Sequence, residues 1–363
     1  MFKTILRDRH LVILFVVALL IKFFSMNEAW VEKYYTYGFY PYIAKMQRGL
    51  FGWVPFSVGD ILYIVAFLFF VVKVWKLLKL LSKRQVKEYL SWILFRKYLK
   101  LVFWIYIIFN ISWGLNYNRL GIAHQLSLNV QPYTTGELME LTGALQQKMN
   151  FYAARTNEAE REKLGYTANV AAEGLLSFKE AAKEYPFLSY STPSMKPSLY
   201  SHLAHLFGFT GYYNPFTGEG QLQTTVPVFM KPYIVNHEIG HQVGYAKENE
   251  ANFISFLTGR VSANDEVRYS IYFDMYLYAA RDLGSRDSVA LQQLKQQWHP
   301  QVKKDYDYLI TFLAKNSNVV EPYMTGIYDQ FLKFNRQPKG RRTYSEVVAW
   351  MVAYMKKYGK ESI

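Results

Sequence analysis

The chain contains no cysteine. Disulfides, a thiolate metal site and a cysteine nucleophile are therefore excluded, and the redox state of its compartment leaves no trace in the sequence. Acidic residues are scarce in one part of the chain. Residues 1–116 hold 16 Lys and Arg against 5 Asp and Glu, whereas residues 117–363 hold 26 against 23. The formal net charge of +14 thus gathers beside apolar segments, where it reads as the flanks of membrane spans. The remainder is nearly balanced and lacks a basic stripe, which argues against a nucleic-acid partner. No internal repeat or low-complexity tract is present.

Apolar residues are abundant instead. With 363 residues, 51% of them hydrophobic and 18% aromatic, the chain can bury a sizeable core. A hydrocarbon core needs about 20 residues of helix. The apolar stretches, counted with their aromatic and basic flanks, predict spans near 9–26, 57–81 and 99–117. The first has the length of a signal peptide's apolar region, but Phe23-Phe24-Ser25-Met26 is a poor cleavage site, so a retained span is expected. Lys3, Arg7 and Arg9, and the nine basic residues of Lys73–Lys100, belong on the cytoplasmic side. The tyrosine-rich connector from Asn27 to Pro55 then lies outside. Three spans from an inside N-terminus carry everything after Tyr117 across the inner membrane. The expectation is a membrane region at 1–118 in contact with the lipid bilayer, and an extracytoplasmic region at 119–363.

Chemistry is concentrated in His237-Glu238-Ile239-Gly240-His241, an HExxH pentapeptide within the amphipathic stretch from Tyr233 to Tyr245. Residues four apart on a helix lie one turn above each other, so both imidazoles leave the same face. That spacing suits two nitrogen ligands of one tetrahedral Zn²⁺, with Glu238 beside them to act as general base on a water. A third protein ligand is required. Gly244 predicts the end of this helix, and a second helix from about Lys247 to Gly259 returns towards the metal. Glu248 and Glu250 are both candidates, but they sit about 200° apart on that helix and cannot reach the same ion. Glu248 is favoured, because it shares a face with Asn252 and the small residues Ala251, Ser255 and Gly259. Asn252 is then placed to orient Glu248 or a ligand histidine.

The element Glu248-Asn249-Glu250-Ala251-Asn252 resembles the ExxA(D/N) segment that follows HExxH in gluzincin-type metallopeptidases. The longer string HEIGHQVGYAKENEANF is similar to an uncharacterised family of bacterial membrane proteins grouped with the peptidase-MA-like zincins. Trp113-Gly114-Leu115-Asn116-Tyr117, the segment from Gly211 to Glu219, and Phe331-Leu332-Lys333 with Gly340 and Tyr344-Ser345 carry the same likeness. Two differences stand out. Lys247 occupies the position of the third metzincin histidine, and the connection from His241 to Glu248 is shorter than in most gluzincins. The resemblance implies that Glu248 completes the zinc shell and Asn252 supports it; it implies no substrate.

The fold expected is mainly α. A bundle of three transmembrane helices precedes an α+β zincin-like domain with a small edge-strand sheet and the HExxH helix. Leu138, Leu141, Leu145 and Met149 recur at helical spacing and predict a core face. Ser189–Ser198 reads as a loop. Gly220–Thr225, before Pro227, is the expected edge strand, able to hold an extended substrate by strand addition. Helices are expected over Val267–Leu283, Val302–Leu313, Pro322–Phe334 and Tyr344–Tyr358. His202 and His205 are spaced i,i+3 with no carboxylate nearby, and His124 and His299 stand alone. Tyr269, Tyr272, Arg268 and Tyr344 are available as oxyanion donors.

Together these features predict a membrane-anchored zinc metallopeptidase acting on a polypeptide or peptide. The ligands are His237, His241 and Glu248, the base is Glu238, and Asn252 supports the site. The alternatives are a catalytically inactive zinc-binding scaffold or sensor of the cell envelope, and a metal-free envelope binding module.

Overall fold

The computed structural model describes residues 8–82, 92–335 and 344–363. Lys3, Arg7, Gly340 and the middle of the basic segment 73–100 lie outside the described residues. The N-terminal third holds helices α1 (Arg9–Ser25), α2 (Tyr40–Phe51), α3 (Val58–Ser82) and α4 (Trp92–Ser112), and the helical Glu28–Trp30 and π-helical Val31–Phe39 run directly into α2. Asp8 opens α1 by accepting the Leu11 amide, and the same carboxylate pairs with Arg96 and Lys100 of α4. α1 and α4 therefore start from one shared ionic knot.

Length and charge separate these helices. The 25 residues of α3 rise about 38 Å, more than the roughly 30 Å of a hydrocarbon core. Its most apolar 18-residue window has a mean hydropathy of 2.3. α1, with 17 residues, falls short alone; it meets the same test only when joined to Glu28–Phe51 across a bend of 98°. α4 has Arg96, Lys97 and Lys100 in its first nine residues, which leaves Leu101–Ser112 as its apolar part. The three expected spans are all helices, but among the described residues α3 is the one that is long and apolar enough by itself.

The rest of the chain is mainly helical. Besides three shorter ones, the further helices among the described residues are α5 (Thr135–Ala153), α6 (Thr167–Glu184), α7 (Lys231–Gln242), α8 (Glu248–Gly259), α9 (Asp265–Arg286), α10 (Ser288–Gln296), α11 (Pro300–Asn316), α12 (Glu321–Phe334) and α13 (Tyr344–Tyr358). α5 begins with a capping box, in which Thr134 accepts the Glu137 amide and Glu137 accepts the Thr134 amide. Leu138, Leu141, Leu145 and Met149 are fully buried in the core that α5 shares with α9. Each such side chain stabilises the fold by about 1.5–3 kcal/mol. α10 was not legible in the sequence: its run SVALQQLKQ has few apolar residues and buries none completely.

Strands β1 (Met195–Pro197), β2 (Gly211–Asn214) and β3 (Glu219–Leu222) form one sheet in the order β1-β3-β2. β3 pairs parallel with β1 and antiparallel with β2. Two expectations are corrected here. Ser189–Ser198 contains the short strand β1. The segment Gly220–Thr225 is not an edge: its strand is central and buried, and Thr224 and Thr225 lie beyond it. Pro227 follows the strand, at the turn leading to α7, so it says nothing about which strand is outermost. β2 is the edge that borders the site.

The N-terminal third is tied to this body by buried polar contacts. Arg119 and Glu32 form an ion pair at 3.0 Å with side chains 1% and 9% exposed. Asp60 of α3 accepts the Tyr212 hydroxyl at 2.6 Å and the Leu199 amide at 2.8 Å. Lys196 donates to the carbonyls of Gly52 and Val54.

Candidate metal centre

α7 has Pro232 in its first turn, where the missing amide hydrogen costs nothing, and buries Ile234, Val235 and Ile239. Gly174 of α6 lets the helices approach closely, since a Cβ there would stand 2.8 Å from Val235 and Ile239 side-chain carbons. The helix ends as Gly244 predicts. Gly244 has φ +94°, its amide donates to the His241 carbonyl, and the Tyr245 amide donates to the Gly240 carbonyl. This paired closure is a Schellman motif. It folds the chain back so that the Tyr245 carbonyl lies 2.6 Å from His241 Nδ1. A carbonyl only accepts, so the hydrogen of that ring is on Nδ1.

The second histidine is fixed in the same way by α8. Asn252 Oδ1 lies 2.7 Å from His237 Nδ1 and also accepts the Tyr233 hydroxyl at 2.7 Å. With both Nδ1 atoms engaged, the two Nε2 atoms face each other at 3.1 Å. The Glu248 carboxylate closes the group, with Oε2 3.3 Å from His237 Nε2 and Oε1 3.8 Å from His241 Nε2. Ligands about 2.0–2.1 Å from a tetrahedral zinc stand about 3.4 Å apart, so these separations match the edges of such a shell. Two facing lone pairs at 3.1 Å repel unless a positive charge lies between them. The donor set and its spacing fit a divalent cation.

The electrostatics agree. Burial alone would depress His237, but the hydrogen bond and charge of Glu248, with the charge of Glu238, raise it. Burial and the neighbouring His237 push His241 down to about 4. Burial works against ionised Glu248, yet the two imidazoles and the Tyr328 hydroxyl hold it at about 2. The cluster thus offers one carboxylate, one neutral imidazole and a second imidazole whose proton a cation can replace.

Glu238 shares the site. Burial pushes its carboxyl up to about 8, and its buried Oε2 has no hydrogen-bond partner among the described residues. The sheet presses on it. A Cβ at Gly211 would come within 2.6 Å of Glu238 Oε1, and one at Gly220 within 3.2 Å of Glu238 Cβ. His237, Glu238, His241, Glu248 and Asn252 all line one cavity of about 880 Å³, open to the outside, with β2 along one side.

Glu250, the other candidate ligand, packs against Gly121 and lies 3.9 Å from the Lys247 amine, outside the donor group. Tyr269 and Tyr272 are not oxyanion donors: their hydroxyls are spent in the core on Asp305 and on the Ile363 carbonyl. Arg268 lies against Tyr152 and Asp265. The side chains of Tyr344 and His205 are outside those described. Among the described residues, His237, His241 and Glu248 are the one three-residue group spaced to hold a metal.

The sequence reading missed three parts of the site. Tyr328, 80 residues downstream, donates to Glu248 Oε1 at 2.6 Å. Tyr233 was readable, because it precedes His237 by one helical turn. The third part is the support of the C-terminal end of α7. Its last carbonyls have no partner within the helix. They accept from Trp113 Nε1 at 3.2 Å (His241), and from the Tyr40 hydroxyl at 2.9 Å and Arg48 at 3.0 Å (Gln242). The cation of Arg48 also complements the negative end of the helix dipole.

No curated protein and no solved structure matches the chain. The sequence profile of a family described as "protein of unknown function (DUF3810)" matches residues 35–352, which include the HExxH helix, its supports and the sheet, and the chain belongs to that family.

Proposed function

We propose that the protein is a membrane-anchored zinc metallopeptidase of gluzincin-like type, with a zincin-like fold around α7, α8 and the three-stranded sheet. The observation that supports it most is the convergence of His237 Nε2, His241 Nε2 and the Glu248 carboxylate, all within 4.8 Å of one another. His237, His241 and Glu248 are the ligands. Asn252 and the Tyr245 carbonyl hold the two rings in the tautomer a cation needs. Zinc, when bound, lowers the pKa of a water and polarises a carbonyl.

Glu238 accepts the proton of the attacking water and passes it to the departing amine. The carbonyl carbon gains a hydroxyl, the amine gains a hydrogen, and the peptide bond is broken. Such transfer contributes about 10²–10⁴-fold. β2, an outer strand of the sheet among the described residues, holds an extended substrate backbone along the cavity that Glu238 also lines. α3, with α1 and α4, forms a multi-pass anchor in the inner membrane. The basic segment 73–100 lies on the cytoplasmic side, and the site is extracytoplasmic.

Purified protein is expected to contain about one zinc per chain. Glu238→Gln should keep the metal and abolish peptide hydrolysis. Retained turnover in that variant removes Glu238 as the base, and absence of zinc in folded protein removes the metal centre. Zinc without turnover of any peptide leaves the scaffold alternative.

A further inference from the structure

The cavity beside the three donors extends onto α3. Tyr63, Ile64, Phe67 and Leu68 are among the residues that line it. Their spacing of i, i+1, i+4 and i+5 makes one stripe of that helix. All four are among the exposed large hydrophobic residues of the molecule, with Tyr63 37%, Ile64 37%, Phe67 65% and Leu68 56% exposed. The same stripe is thus a wall of the cavity and part of the outer surface of the helix suited to a membrane.

The wall is held in register with the donors. Glu219 accepts the Val58 and Gly59 amides at the start of α3, and Asp60 accepts from Tyr212 of β2. β2 in turn touches Glu238 through Gly211. The stripe and the donors line the same cavity, so one ligand can touch both.

The chemistry of the wall decides what that ligand is. The backbone amides and carbonyls of a helix are bonded within it, so the α3 stripe offers apolar side chains and one phenol. An extended peptide placed there would leave its own backbone groups unmatched, which costs several kcal/mol for each in a bilayer. A helix about 10–12 Å across fills roughly 420–610 Å³ per turn, so the cavity of about 880 Å³ takes at most about two turns and not a membrane-spanning helix. An alkyl chain has no polar group to satisfy and is thin and flexible. Only near β2, where strand edges supply donors and acceptors, is a peptide backbone accommodated.

We infer that the substrate is a fatty-acylated polypeptide, its alkyl chain against Tyr63, Ile64, Phe67 and Leu68 and its peptide bond beside Glu238. This rests on the hydrolase reading of the site. A bilayer already solvates an alkyl chain, so the compartment adds little affinity from hydrophobic transfer. Its effect is positional: it fixes how far along the peptide cleavage falls.

The test uses the full chain in phosphatidylcholine nanodiscs, as the zinc-loaded Glu238→Gln variant. The probe is an N-palmitoylated hexapeptide with a diazirine near the end of the acyl chain. Phosphatidylcholine with the same diazirine chain is the comparison. Labelling of residues 63–68 by the peptide should exceed that by the phospholipid at least about tenfold, a difference of about 1.4 kcal/mol. Unlabelled palmitoyl-peptide should suppress it and the unacylated peptide should not. Leu68→Trp, which fills the compartment from an exposed position, should reduce labelling, whereas Leu62→Trp on another face of α3 should not.

Labelling spread evenly around α3, equal labelling by the phospholipid, or indifference to Leu68→Trp overturns the inference. The wild-type protein is then assayed for cleavage of the same peptide with and without its acyl chain. Cleavage of both at the same bond and to the same extent also overturns the acyl inference while the hydrolase stands. Stripe labelling without any cleavage removes the hydrolase and leaves an acyl-peptide binding site.

Discussion

The Glu219 carboxylate accepts the Gly59 amide at 2.6 Å, across 160 positions of sequence, so the central strand of the sheet caps the longest apolar helix. The same carboxylate accepts the Val58 amide at 3.2 Å and the Thr217 hydroxyl at 2.8 Å. Free amides at a helix start carry partial positive charge and favour an anion. Glu219→Gln keeps the shape and removes the charge. It should lower thermal stability in detergent by about 1–2 kcal/mol, the scale of a partly buried charge at a helix terminus. An unchanged melting temperature would mean that the cap contributes nothing.

Asn252 is the acceptor that fixes His237. Asn252→Ala should weaken zinc binding about 10–100-fold, as expected on removing a group that orients a ligand. Asn252→Asp, which keeps an oxygen there, should stay near wild type. Competition against a zinc chelator reads both. Equal affinity in all three proteins would detach Asn252 from the metal centre.

Gly211 has no room for a side chain on the face that meets Glu238. Gly211→Ala should leave metal content unchanged and lower turnover by about tenfold or more, because small displacements of Glu238, the base in the proposed mechanism, are costly. Lost zinc in this variant would show a wider distortion than the geometry predicts.

Asp274 of α9 is buried, its Oδ2 has no hydrogen-bond partner among the described residues, and burial pushes its carboxyl up to about 8. The unfolded chain releases that proton near 3.8. Between these values the folded state holds the additional proton, so stability declines as pH rises from about 4 to about 8 and levels off above. The decline is at most about 1.4 kcal/mol per pH unit from this one group. Asp274→Asn should flatten this part of the profile and raise the melting temperature most at pH 8. Parallel profiles for the two proteins would contradict the assignment.

The sequence exposed whatever depends on short spacing. The facing histidines, the stop at Gly244, the choice of Glu248 over Glu250 and the neighbour Asn252 all follow from helical angles within residues 237–252, and the structure brings those side chains together. The core face of α5 was legible for the same reason. Sheet order was not, because strand pairing is a long-range matter. Strands of three or four residues carry too little pattern to say which is central, and Pro227 lies beyond the end of β3. Tyr328 and Tyr40 reach the site from 80 residues after Glu248 and about 200 before His241. Nothing in their surroundings sets them apart from the other 29 tyrosines of 31.

The turn at Gly244 has a consequence for assembly. It brings the carboxylate back beside the imidazoles within twelve successive positions, 237 to 248, so little chain entropy is lost in gathering the three donors. Stripping the proposed zinc with a chelator should therefore loosen one corner, seen as faster amide exchange around 241–250, while helices α5 and α9 keep their protection.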